Sequence, residues 1–132
     1  MPRPHIFLPL LRQDVRPHRL VNATRGVVLA TRIEQAFDSR TRRQGLLGRQ
    51  GLPPDTVLAI APSNAIHTFG MQFPIDVLFI SRDGRVLKRV RSLGRRRLSA
   101  TLFGFAVLEF GAGHPGVAVT EVGDQLAVEP AS

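Results

Sequence analysis

The sequence predicts a mainly β protein, an antiparallel sandwich or barrel with one or two short helices, and three observations carry that expectation. Apolar and β-branched residues come in runs of strand length. Gly, Pro, Asn and Asp punctuate those runs at close intervals. One stretch alone, within 34–48, spaces its apolar residues as a one-sided helix would. At 132 residues the chain is long enough for one domain to bury about two thirds of the surface its unfolded form exposes. The expected organisation is an irregular N-terminal arm over 1–19 and a single β-sandwich domain over 20–130.

Taken in order, residues 1–19 are rich in Pro, Arg and His and show neither strand nor helix period. Residues 20–33 read as a hairpin or two short strands broken between Asn22 and Gly26. In 34–48 a short helix is expected, capped by Asp38 or Ser39 and ended by Gly45 or Gly48. Pro53, Pro54 and Asp55 force a turn into a strand over 56–60. Residues 76–80 are apolar on both strand faces and read as a central strand. Asp83-Gly84 supplies a two-residue turn to a partner strand over 86–90. The 91–105 stretch reads as a long loop, 106–110 as a strand, 117–122 as ambiguous, and 125–128 as the last strand.

Composition bounds the chemistry. There is no cysteine, which excludes disulfides, thiolate nucleophiles and cysteine-ligated zinc. Eighteen Lys plus Arg stand against ten Asp plus Glu, for a net charge of +8; only Lys88 is lysine, so seventeen are arginine. Arginine suits phosphate and carboxylate recognition through its planar fork, but with no Trp or Tyr the rings available to stack bases are eight Phe, most of them in apolar runs. Nucleic-acid binding is therefore possible and not favoured. The N-terminal apolar run is short and broken by Pro9, and no stretch approaches the ~20 apolar residues of a membrane helix. A cytoplasmic protein without a transmembrane segment is expected.

Candidate site residues gather where an irregular segment runs into the central strand. His67, Phe69, Met71, Pro74 and Asp76 fall within ten residues, and Glu109 sits inside the later apolar run 107–110. A carboxylate on an apolar strand must be hydrogen-bonded, paired or protonated, because isolated burial of its charge is too costly. Asp76 either lines a ligand cleft beside His67 or locks the 64–74 segment through backbone N–H groups; the lock is the commoner outcome. Glu109 either joins Asp76 and His67 or pairs with an arginine. His67 and Met71 fall short of the three or four ligands a metal needs, so no metal and no cofactor is expected. Arg95, Arg96 and Arg97, with Arg40, Arg42 and Arg43, are candidates for an anion-binding rim or simply solvated faces. No P-loop, nucleophile elbow or dinucleotide fingerprint is present.

The segments Arg43-Gln44-Gly45-Leu46-Leu47-Gly48-Arg49, His67 through Phe79 followed by Asp83-Gly84-Arg85-Val86, and Val107 through Gly113 followed by Gly123-Asp124 together resemble the bacterial and archaeal family called domain of unknown function 192, over about residues 20–128. The resemblance implies one β-sandwich, jelly-roll-like, with a short helix carrying the Arg-Gly-Leu-Leu-Gly-like segment. It brings no activity. Phe110 stands where the family more often has Leu, and Gln44 where Arg is usual; family members often carry an export signal.

Three readings follow. The favoured one is a non-catalytic module that binds a small ligand or a protein in a groove around 64–76, with His67, Phe69, Met71, Pro74, Asp76 and Glu109 as ligand-binding residues and Arg95, Arg96 and Arg97 at the rim. A small hydrolase-like acid/base enzyme requires Asp76, Glu109 and His67 to converge. A polyanion binder requires both Arg clusters on one face.

Overall fold

Residues 4–12 and 16–131 are described by a computed structural model. A single helical turn, α1 (Leu8–Leu11), leads into β1 (His18–Asn22), β2 (Val27–Ala30) and β3 (Arg32–Ala36). The short helix α2 (Ser39–Gln44) precedes β4 (Thr56–Ile60), β5 (Ala65–His67), β6 (Ile75–Ile80) and β7 (Val86–Leu93). Then come β8 (Leu98–Ala100), β9 (Ala106–Gly111), α3 (Pro115–Val119) and β10 (Leu126–Pro130). The class is the expected mainly β one, with three short helices among the described residues rather than one or two.

The strands form an open three-stranded sheet, β10-β1-β2, an open five-stranded sheet, β3-β4-β9-β6-β7, and a two-stranded ribbon, β5-β8. One pair departs from the antiparallel expectation: β3 runs parallel to β4, from Arg32 beside Thr56 to Ala36 beside Ile60. A parallel pair needs a crossover of a dozen residues or more, and 37–55 with α2 supplies it. The all-antiparallel order of a jelly roll is not displayed.

Strands β6 and β9 are the centre. Every residue of β6 is buried, as is every residue of β9 except Gly111, which is what a strand covered on both faces requires. Alternation sends Leu78, Ile80, Leu108 and Phe110 to one face, where they meet Leu20, Leu29, Leu126 and Val128 of the three-stranded sheet together with Ile6 and Phe7. It sends Ile75, Val77, Phe79 and Val107 to the other face. There the cover is a layer of connections: Leu46 and Leu52 after α2, Ile66 of β5, and Met71. The carbonyl oxygen of Leu52 lies so near Gly111 that a Cβ there would come within 2.9 Å of it, so the absence of a side chain lets this cover reach the sheet.

Several elements differ from the sequence-based expectation. Ile33 and Ala36 mimic helical spacing, but pairing with β4 satisfies their backbone as strand, and α2 starts only at Ser39. Its caps are as expected: Asp38 accepts from the Thr41 N–H while the Thr41 hydroxyl meets the Asp38 backbone, and Gly45 turns back at φ +49°. Ribbon β5-β8 lies within stretches read as irregular, because each strand acquires its ladder only from the other. Residues 115–119, which overlap the start of the 117–122 region read as ambiguous, are helical. Pro115 stands in the first turn, and the His114 ring accepts from the Val117 N–H at 3.2 Å. The supposedly irregular lead-in places Ile6 and Phe7 in the core. The 81–85 connection is a three-residue turn: Gly84 N–H donates to Ser81 and only Gly84 takes positive φ, +94°.

At the far end of the three-stranded sheet a buried polar network ties β1 to the 120–125 turn. Asn22 Nδ2 donates to Thr120 Oγ1 at 3.0 Å and to Asp124 Oδ2 at 2.9 Å. Asp124 also accepts from Arg25 Nε at 2.8 Å and from the Glu121 N–H at 2.9 Å. The Arg25 hydrogen bond, reinforced by Glu121 N–H and Asn22, holds the Asp124 carboxyl well below the usual carboxylate range against the opposing effect of burial. Replacing it strands buried donors, and Asp124→Ala is expected to destabilise by about 2 kcal/mol in urea unfolding at neutral pH. Because the folded pKa is depressed, this carboxylate's contribution is full above about pH 4 and is lost as pH falls through the folded value. The gap between wild type and variant therefore closes in strong acid.

Candidate functional site

The two central carboxylates lie one register step apart and face opposite ways. In the β6-β9 ladder Asp76 stands opposite Phe110 and Glu109 opposite Val77, so strand alternation puts Asp76 on the sheet-covered face and Glu109 on the face covered by connections.

Asp76 is fully buried and fully occupied. One oxygen accepts the Ser92 N–H at 2.8 Å; the other accepts the His114 N–H at 2.9 Å and Arg91 Nε at 3.2 Å. The β6-β7 register shifts at this point, with Ile75 opposite Leu93 but Val77 opposite Val90, and Ser92 takes φ +53°. The carboxylate thus fills a β-bulge and ties it to the loop before α3. It is the lock that the sequence suggests, but it does not lock 64–74. That segment contributes Ile66 and Met71 to the opposite face, out of reach of a side chain pointing away from it.

Glu109 is 4% exposed, and its Oε2 has no hydrogen-bond partner among the described residues. It lines a recess of about 580 Å³, within the range of small-molecule sites. The far wall comes from α2 and its following turn, with Arg42, Arg43 and Leu46; the near wall comes from Ser63, Ile66, His67 and Met71. Arg42 is held by bonds from Nη1 to the Phe37 carbonyl at 3.0 Å and from Nη2 to Ser39 Oγ at 3.4 Å. Arg43 is exposed and has no ion pair among the described residues. Burial pushes the Glu109 carboxyl up to about 7, against the pull of Arg49. Arg49 does little more because its fork is spent on Glu34, at 2.6 and 3.1 Å.

Of the residues singled out from sequence, Glu109, His67 and Met71 share this recess. Phe69 and Pro74 are exposed outside its lining, with the Phe69 ring 5.8 Å from that of His67. Asp76 is across the sheet, so the Asp76-Glu109-His67 constellation of an acid/base enzyme is not assembled. Arg95, Arg96 and Arg97 stand on the β7-β8 connection, also outside the lining; Arg95 donates to the Gln72 carbonyl at 3.0 Å. The recess also takes in Arg42 and Arg43, from the arginine cluster considered as an anion-binding rim, and adds Ser39 and Ser63, which sequence reasoning did not place there. Arg43 and the two glycines after it do stand in the motif that carries the family resemblance, which was the available signal. Among the described residues no group of three or more His, Asp or Glu is arranged to hold a metal ion, and no helix is long and apolar enough to cross a membrane.

A family profile described as DUF192, Uncharacterized ACR, matches residues 20–128. None of the curated proteins matches the chain significantly. Among solved structures, a candidate transcription regulator from Sinorhizobium meliloti 1021 superposes with a TM-score of 0.71 at 24% identity, over 86% of this chain and 92% of that one. A protein of unknown function from Novosphingobium aromaticivorans DSM 12444 does so at 0.69 and 18% identity, over 83% and 82%. At these identities the likeness carries the fold alone.

The raised carboxyl has a consequence for stability. With a folded pKa of about 7 above the ordinary 4.5, the folded state binds this proton more tightly than the unfolded one. The Glu109 contribution is thus fully present below pH 4.5 and is lost as pH rises through 7, by about 3 kcal/mol in all. Glu109→Leu is expected to match wild type at pH 5 and to exceed it by roughly 2–3 kcal/mol at pH 8, as read by urea unfolding.

Proposed function

The chain belongs to the DUF192 family, and from that premise we propose that it is a non-catalytic module binding a small ligand in the Glu109 recess. The observation that carries this reading is the buried Oε2 without a partner. A buried carboxyl oxygen left unsatisfied is costly, and a ligand donor placed against it would remove that cost. The rim cations Arg42 and Arg43 face the same space and suit an anionic or acceptor-rich group. Leu46, Ile66 and Met71 offer apolar wall between the two. The fitting ligand is therefore a compact molecule with a hydroxyl or amino group at one end and a carboxylate or phosphate at the other.

A concave recess of this size favours a small molecule over a protein surface as the occupant. The acid/base reading is less supported, because Asp76 is committed to Ser92, His114 and Arg91.

A thermal-denaturation panel of amino acids, hydroxy acids and sugar phosphates at millimolar concentration tests the proposal. At least one member should raise the midpoint by several degrees, and both Glu109→Leu and Arg43→Ala should abolish that rise. A panel with no stabiliser, or equal stabilisation of Glu109→Leu, would overturn it.

A further inference from the structure

The most exposed large apolar side chains among the described residues lie together, away from the recess floor. Leu98 is 73% exposed, Leu102 79% and Phe103 92%. The β5-β8 register sets Leu98 directly opposite His67 and Ala65 opposite Ala100 on the outer face, while Ile66 and Ser99 point inward. Leu102 and Phe103 follow at the tip of the 101–104 turn. That turn is anchored at its base: Thr101 N–H donates to the Asn64 carbonyl at 2.9 Å, and Phe105 N–H to that of Ile80 at 2.9 Å. Phe103 takes φ +61°, a conformation unfavourable for an aromatic residue, and there presents its ring to solvent. An anchored protrusion with bare apolar side chains at its tip is poorly suited to water alone.

The sequence around it carries charge of one sign. From 84 to 108 the sequence contains Arg85, Lys88, Arg89, Arg91, Arg95, Arg96 and Arg97 and no acidic residue. Arg91 is bound to Asp76, Arg89 to the α3 carbonyls, Arg85 to the Gly123 carbonyl and Lys88 to that of Ala100, which leaves the triplet Arg95 to Arg97, exposed and without an ion pair among the described residues. Arg96 N–H and Arg97 N–H bond to Thr68, which fixes the triplet at one end of β8 with the apolar tip at the other. At about 3.3 Å per residue the two ends are within roughly 15 Å.

We propose that ribbon β5-β8 and the 101–104 turn form a docking surface for an anionic phospholipid membrane. Leu98, Leu102 and Phe103 enter the interfacial layer while Arg95, Arg96 and Arg97 contact headgroup phosphates. Guanidinium groups answer the surface charge, and aliphatic tips gain free energy where hydrocarbon receives them. Nucleic acid would satisfy the arginines but would leave Leu98 and Leu102 unrewarded. This surface does not depend on occupancy of the Glu109 recess.

Sedimentation of the full chain with extruded vesicles tests it, using phosphatidylcholine alone and an equimolar mixture with phosphatidylglycerol. Binding is expected to the mixture and to be about tenfold or more weaker to phosphatidylcholine or in molar salt. The double variant Leu102→Ser/Phe103→Ser and the triple variant Arg95→Gln/Arg96→Gln/Arg97→Gln should each lose about tenfold. Unchanged thermal midpoints would show that both variants remain folded. Any of four results would overturn the proposal: no vesicle binding by wild type, equal binding by the serine variant, duplex DNA bound through the triplet while vesicles are not, or a dimer that the serine variant dissolves in the absence of vesicle binding.

Discussion

Two adjacent strands buried on both faces, β6 and β9, carry one carboxylate each, and the pleat sends the two acids to opposite sides of the same sheet. Everything distinctive about this protein follows from how each side meets its acid. A buried carboxylate is tolerated only where donors replace its water. Asp76 meets two backbone N–H groups and a guanidinium; Glu109 has one oxygen with no hydrogen-bond partner among the described residues.

The asymmetry has a structural cause. On the Asp76 side the cover is another sheet, β10-β1-β2, whose side chains interdigitate with Leu78, Leu108 and Phe110 in one core. Regular layers pack to high density and leave little unfilled. On the Glu109 side the cover is α2, the turn after it, and the 64–73 segment. Connections of this kind follow their own backbone requirements, such as the Asp38 cap and the Gly45 reversal, and fit the sheet at points such as Leu52 on Gly111. Between those points a recess persists. The same irregular layer carries the exposed ribbon edge and its arginines, so both candidate interaction surfaces arise from one half of the molecule while the other half is the packed core between the two sheets.

Much of this was legible from residue order. The strand over 56–60, the core of the β6-β7 hairpin, the strand over 106–110 and the capped helix α2 all announce themselves, because period, turn residues and capping side chains are local signals. The site was legible in part. Glu109, His67 and Met71 stand out as a polar group, a ring and a soft apolar residue in unusual positions, and they do share a recess. Arg42 and Arg43 read equally well as a solvated helix face, since nothing local shows that α2 leans over a cavity. Strands β3, β5 and β8 were hidden for a related reason: a three- to five-residue strand acquires its hydrogen bonds from a partner far along the chain.

What the sequence determined by itself, then, is the set of local conformations and the presence of two acids that burial would make expensive. Which acid would find donors was decided only by the tertiary structure. Parity along one strand is readable, but whether Asp76 and Glu109 share a face depends on the register between strands that lie some thirty residues apart, and a shift of one residue would reverse the answer. The long-range ladder sets that register, and with it the difference between a structural lock and a candidate binding site.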